Sequence, residues 1–264
     1  MNKLTIVAKN PQTYFIKRLT EEVGQQNVQI LNPWANSPPP VAPIQKILFR
    51  SSGVYNSDLD LDFIRQLKAV VINPLRSLEI FRTKSSQYEF FNNHSLPALS
   101  WCWLKDWKET EGEFLVKPDR GQGGWGIQVF NPKSLVAWKI EQERRGDSSW
   151  IVQPYKRGQE FRVFFAGAER LTLQRTTGPT SIAANFTQEG TAKLVKLPSE
   201  LVPIVEKLIQ NSEAYYGAID LLDLPQGPVI LELNVVPGIE QLETLSRRNI
   251  IQIILSANLF CHIS

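Results

Sequence analysis

GAIDLLDLPQGPVILELN, residues 217–234, reads as two apolar runs joined by a turn at Pro-Gln-Gly, a β-hairpin. Side chains alternate between the faces of a strand, so Glu232 and Asn234 share one face of LELN. A turn centred on Gln226 sets Asp220 opposite Glu232. Two carboxylates opposed across a strand pair repel, and the cost grows as water is excluded. A bound divalent cation removes that conflict. Asp, Glu and Asn offer only oxygen ligands, which suit Mg²⁺ or Mn²⁺. The competing reading is a solvated strand face where water screens both acids. The leucines and isoleucines between them establish only that the other face is buried.

Upstream, KPDRGQGGWGIQVF places Gly121, Gly123, Gly124 and Gly126 between strands expected at 113–118 and 127–130. Glycines let backbone N–H groups approach a phosphate without side-chain interference. No helix opens after this loop, and its spacing matches neither a P-loop nor a dinucleotide fingerprint. A plain hairpin connection is the alternative. Lys117 ends the apolar strand before the loop, where its ammonium could reach a phosphate or snorkel to solvent. A third element, QPYKRGQEFR at 153–162, follows a strand expected at 149–155 and brings Glu160 to the start of the next. Backbone groups of such a hinge can hold a purine, with an acid on the ribose hydroxyls. Pro154 keeps its carbonyl as an acceptor, although it lacks an N–H. Locally, an ordinary connection explains the segment as well.

The first third of the chain alternates strands at 3–9, 28–31, 46–49 and 69–72 with helices at 12–25, 59–68 and 75–92. This pattern predicts a small, largely parallel sheet. NPWANSPPPVAP, 32–43, reads as an extended surface loop, with peptide docking as a weaker alternative. A helix is expected at 132–145. EFRVFFAG and RLTLQRT read as strands, a helix at 199–215 precedes the hairpin, and helical segments run to the end. Boundaries near 97 and 155 divide the chain into lobes 1–97, 98–155 and 156–264.

Composition is ordinary for a globular enzyme: 42% hydrophobic, 21% charged, net charge +3 over 264 residues. The positive charges are spread along the chain, which argues against a nucleic-acid partner. Cys102 and Cys261 are far apart and in no CxxC pattern, so a reducing cytoplasm is expected rather than a disulfide framework or zinc site. The two histidines, His94 and His262, give little support to a histidine-based triad. No run approaches the roughly 18 apolar residues that span a bilayer, and the start has too short an apolar stretch for a signal peptide.

Taken in order, these elements resemble the ATP-grasp superfamily, most closely its RimK-type branch of carboxylate–amine (glutamate and peptide) ligases. The resemblance covers roughly 68–250 and is strongest in GAIDLL…GPVILELNVVPGIEQLE, which is similar to the family's aspartate, Glu-x-Asn and Pro-Gly pattern. It implies an α/β (α+β) ATP-grasp fold with an N-terminal parallel-sheet lobe, a small central lid lobe and a C-terminal antiparallel-sheet lobe. It implies an ATP-dependent ligase working through an acyl phosphate. Asp220, Glu232 and Asn234 would hold two Mg²⁺ ions (or Mn²⁺) on ATP. Lys84 and Lys117 match the phosphate-binding lysines, and Gly121, Gly123, Gly124 and Gly126 the cover over the triphosphate. Gln153, Pro154, Tyr155 and Lys156 match the adenine hinge, and Glu160 the ribose acid. Arg175 and Asn185 match catalytic groups near the γ-phosphate and the reacting acyl group. Ala183, Thr187 and Gln188 depart from the branch's Arg and His-Arg, so the identity of the carboxylate and amine does not carry over. Arg50, Arg247 and Arg248 are candidates for clamping an acceptor carboxylate, with solvated helix ends as the alternative for the pair. A small-molecule kinase or a nucleotide-binding scaffold on the same fold shares the ATP residues. The partners expected are a small-molecule carboxylate and an amine, an amino acid or peptide. No membrane or nucleic acid is expected, and a homo-oligomer stays open.

Overall fold

The computed structural model describes residues 3–32, 46–51, 58–121, 123–147, 149–176 and 191–259. Most of the proline-rich stretch, the loop bearing Ala183, Asn185, Thr187 and Gln188, and Cys261 and His262 lie outside the described residues.

Short apolar runs build the first sheet. It contains β1 (Leu4–Val7), β2 (Val28–Leu31), β3 (Lys46–Phe49) and β4 (Val70–Ile72), all parallel in the order β2-β1-β3-β4. Parallel neighbours need crossovers, and α1 (Tyr14–Val23) and α2 (Asp58–Gln66) supply helical ones. The helix expected at 75–92 is two helices, α3 (Leu75–Ile80) and α4 (Lys84–Asn93). Thr83 breaks it. Its backbone is extended, and its hydroxyl accepts from Ser86 N at 3.2 Å, which starts a new helix.

The second sheet is antiparallel, ordered β5-β8-β6-β7 from β5 (Cys102–Trp103), β6 (Phe114–Pro118), β7 (Gln128–Phe130) and β8 (Trp150–Pro154). The helix α5 (Pro132–Arg145) has the expected bounds. Asn131 caps its start, Pro132 sits in its first turn, and Gly146 ends it in the left-handed region. The third sheet contains β9 (Gln159–Ala166), β10 (Glu169–Thr176), β11 (Thr191–Val195), β12 (Tyr216–Asp223) and β13 (Val229–Asn234), antiparallel in the order β11-β10-β9-β12-β13. The helix α6 (Val202–Ser212) precedes β12, and α7 (Glu240–Ser246) and α8 (Ile250–Ile254) follow β13. Neither β5 nor β11 is expected from the sequence. The first is two residues long, and the second is a mostly exposed edge strand.

Buried polar contacts lock the parallel sheet to the third. Asn73 is fully buried and makes four hydrogen bonds: its amide nitrogen donates to Tyr216 O and Val235 O, and its oxygen accepts from Tyr215 N and Tyr216 N. Removing it leaves those backbone groups unpaired, so Asn73→Ala is expected to cost about 1–3 kcal/mol of stability. Urea midpoints equal to wild type would show that the staple contributes nothing. Arg50 serves the same junction. Its guanidinium lies 3.6 Å from the Phe15 ring centroid and Nη2 donates to Pro237 O at 2.9 Å, so it is buried structure and not the carboxylate clamp the sequence suggested. No helix among the described residues is long and apolar enough to cross a membrane.

Candidate active site

One face of the third sheet carries the charge. Register places Glu232 beside Asp220 and Asp220 beside Arg162, while Arg175 pairs with Glu160 and Glu160 with Leu222. Alternation sends Phe161, Val163, Ile219, Leu221 and Leu233 to the opposite, buried face. The opposition of Asp220 and Glu232 is the one expected from the hairpin. A bulge follows at once, so that Leu221 pairs with Ile230. Arg162 Nη1 donates to both Asp220 oxygens at 3.0 and 3.2 Å, and Arg175 Nη1 reaches one at 3.4 Å. Val236 N donates to Asn234 Oδ1 at 2.9 Å and fixes that side chain at the strand end.

Two lysines approach from the other side. The first turn of α4 is pinned to the end of β6, because Lys84 N and Ser85 N both donate to Asp119. Lys84 Nζ then donates to Gly121 O at 3.0 Å and lies 3.9 Å from Glu232 Oε2. Lys117, on β6, donates to Tyr88 Oη at 2.6 Å. Tyr88 sits one turn after Lys84 on α4, and its hydroxyl also lies 2.9 Å from Leu231 O and 3.1 Å from Gln153 Oε1.

The electrostatics follow from burial and charge. Burial pushes Asp220 above the usual carboxylate range; Arg162 and Arg175 oppose this, and Glu232 adds to it. Burial pushes Glu232 up too, but Lys84, Arg162, Lys117 and Arg175 outweigh it and hold Glu232 below its ordinary value. Burial lowers the Lys117 ammonium to about 8, with Glu232 opposing.

These groups line a cleft of about 760 Å³ between the second and third sheets. Lys84, Lys117, Gly121, Gly123, Gly124, Glu160, Arg175, Asp220, Glu232 and Asn234 are all on its wall, together with the hinge from Gln153 to Lys156. Leu99, Leu115, Ile127, Leu222 and Leu231 give the wall its apolar part. Gln153 is 1% exposed, and its side chain is held by Leu99 O and Tyr88. Gly126 is not on the wall. It has φ 76°, and a Cβ there would come within 3.2 Å of Pro118. Trp125 stands out at the loop tip, 68% exposed. Asn185 lies outside the described residues. Arg247 and Arg248 are exposed at the end of α7, with Arg248 paired to Glu169 at 3.0 Å, and neither is on the wall. Sequence reasoning missed Arg162 and Tyr88. The first is two residues after Glu160 on one strand face, and the second four after Lys84 on one helix face, so both had a periodic signal.

The chain belongs to the RimK-like ATP-grasp family, whose domain model matches residues 121–257. A probable alpha-L-glutamate ligase of Coxiella burnetii (strain Dugway 5J108-111) is 29% identical over 140 residues, 52% of this chain and 46% of that protein. The chain thus spans about half the length of the curated relatives it matches. Among solved structures, a RimK domain ATP-grasp protein of Sphaerobacter thermophilus DSM 20745 has a TM-score of 0.74 at 14% identity, over 96% of this chain and 97% of that one. The ATP-grasp ligase PsnB, complexed with a phosphomimetic variant of its minimal precursor, Mg and ADP, has a TM-score of 0.71 at 15% identity over 97% and 99%. The fold is that of the ATP-grasp proteins.

Proposed function

We propose that this protein is an ATP-dependent carboxylate–amine ligase that activates a carboxylate as an acyl phosphate and transfers it to an amine. The observation that carries the reading is the opposition of Asp220 and Glu232 on the cleft wall, flanked by Lys84, Lys117, Arg162 and Arg175. The working lobes are 1–97, 98–155 and 156–264, with the nucleotide between the last two.

The adenine packs against the apolar wall residues Leu115, Ile127, Leu222 and Leu231, with the Pro154 carbonyl and Lys156 amide on its edge and Glu160 on the ribose. Lys84 and Lys117 bind the phosphates, and the glycine loop covers them. Two carboxylates and an amide oxygen suit Mg²⁺, which takes a few protein oxygens and keeps the rest for water and phosphate. Asp220, Glu232 and Asn234 would hold it. When bound, it offsets charge on the β- and γ-phosphates. Arg162 and Arg175 supply positive charge beside Asp220. Arg175 Nε is buried without a hydrogen bond among the described residues, a donor suited to a phosphoryl oxygen.

A carboxylate oxygen attacks the γ-phosphorus, the bond to the bridging oxygen breaks, and ADP leaves. The amine then attacks the acyl carbon, the carbon–oxygen bond to phosphate breaks, and phosphate departs with the electron pair. An ammonium entering this step loses two protons, one to phosphate and one to solvent. Excluding water protects the acyl phosphate from hydrolysis.

Hydroxylamine tests the first half, because it captures an acyl phosphate as a hydroxamate. With ATP, Mg²⁺ and a panel of amino acids and short acidic peptides, ADP and hydroxamate are expected to form in equal amounts for the right carboxylate. A stable phosphorylated product, or no response to any carboxylate, would contradict the ligase reading.

A further inference from the structure

Lys117 is a buried cation held by a neutral group. It is 6% exposed, and among the described residues the one hydrogen-bond partner of its ammonium is the Tyr88 hydroxyl, at 2.6 Å. Tyr88 is itself fixed. It is 1% exposed, and Phe91 and Trp101 pack on its ring with centroids 5.9 and 6.1 Å away. Its hydroxyl has one proton to donate and two acceptors in reach, Leu231 O at 2.9 Å on β13 and Gln153 Oε1 at 3.1 Å on β8. The oxygen is left to accept from Lys117 on β6. One hydroxyl on α4 thus ties together three strands that border the cleft.

An ammonium on a four-carbon stem has many rotamers, and fixing it only when phosphate arrives costs conformational entropy. A carboxylate partner would fix the stem but would also neutralise the charge that a phosphate needs. A neutral hydroxyl fixes the stem and keeps the charge, and it leaves two of the three ammonium N–H groups for phosphate oxygens. Burial keeps Tyr88 in its neutral form by raising its hydroxyl above the ordinary phenol value. We infer that Tyr88 is a positioning residue for the nucleotide phosphates, whose hydroxyl holds the Lys117 ammonium preorganised on the cleft wall. The helix α4 then sets both phosphate-binding cations, Lys84 directly in its first turn and Lys117 through Tyr88 one turn later. This inference rests on the reading of Lys84 and Lys117 as phosphate ligands and adds a residue that acts through one of them.

The test is a double-mutant cycle read by calorimetry. Affinity for a non-hydrolysable ATP analogue with Mg²⁺ is measured in wild type, Tyr88→Phe, Lys117→Met and the double variant. Tyr88→Phe removes only the hydroxyl. Its Kd is expected to rise about 10-fold when Lys117 is present and by less than about 2-fold in the Lys117→Met background. A residue that merely braces β13 and Gln153 would weaken both backgrounds alike. Equal factors in the two backgrounds, or an unchanged Kd in Tyr88→Phe, overturn the inference. Unfolding curves verify that each variant is folded. Should Tyr88→Phe not fold, a crystal of wild type with the same analogue decides. Lys117 Nζ is expected within hydrogen-bond distance of Tyr88 Oη and of a phosphate oxygen at once. An ammonium that has left Tyr88 to reach phosphate overturns the inference. Wild type that binds no nucleotide overturns the phosphate reading and this inference together. Coupled nucleotide binding without hydroxamate from any carboxylate supports this inference and removes the ligase reading alone.

Discussion

Glu232→Gln is expected to lower carboxylate-dependent ADP formation by about 10³-fold or more, the loss of several kcal/mol of charge stabilisation in phosphoryl transfer. The substitution keeps size and removes one negative charge. Glu232 lies opposite Asp220 and is held ionised by Lys84, Arg162, Lys117 and Arg175. With the charge gone, those cations face one carboxylate, and the proposed cation-binding pair becomes a single acid. Folding should be retained, because the Glu232 side chain is 33% exposed and closes no hydrophobic cluster. Steady-state ADP release at saturating Mg²⁺ and ATP checks the rate, and thermal unfolding checks the fold. Near-wild-type turnover in a folded variant would remove the metal assignment.

Lys117→Met is expected to raise the ATP KM or lower kcat/KM about 10–100-fold, the loss of one charge-assisted contact of about 1.5–3 kcal/mol. The pH dependence gives a second signature. Burial brings the Lys117 ammonium down to about 8, so the free protein carries this charge below that pH and loses it above. ATP affinity should therefore weaken as pH rises through about 8. Binding above that value should take up a proton, because phosphate favours the charged amine. Lys117→Met should be weaker at neutral pH and lack this added pH dependence. Calorimetry in two buffers of different ionisation enthalpy reads the proton uptake directly. An identical pH profile in wild type and variant would make Lys117 a bystander.

The hairpin was the most legible part of the chain. Strict alternation in LELN and a turn at Gln226 place Asp220 against Glu232 without any tertiary information, and the register agrees. The bulge after Asp220 left no mark in the apolar pattern, since Leu and Ile fill both registers. The parallel sheet was legible from its short apolar runs, whereas β5 was too short to show a period and β11, TAKLV, reads as polar because most of it is exposed. The break between α3 and α4 did have a signal in Thr83, a good helix-starting residue inside an otherwise helical run. Arg50 misled because its partners, Phe15, Tyr216 and Pro237, are brought to it only by packing between sheets. Arg162 is similar. Its face was readable from Glu160, but its place on Asp220 depends on β9 pairing with β12, more than fifty residues away.

Crystallising the protein with Mg²⁺ and a non-hydrolysable ATP analogue addresses the metal site directly. Metal–oxygen distances of about 2.0–2.1 Å to Asp220, Glu232 or Asn234 are expected, with the β- and γ-phosphates within reach of Lys84 and Lys117. A nucleotide bound elsewhere, or bound here with Asp220 still closed by Arg162 and no metal on Glu232, would contradict the site and the activity built on it.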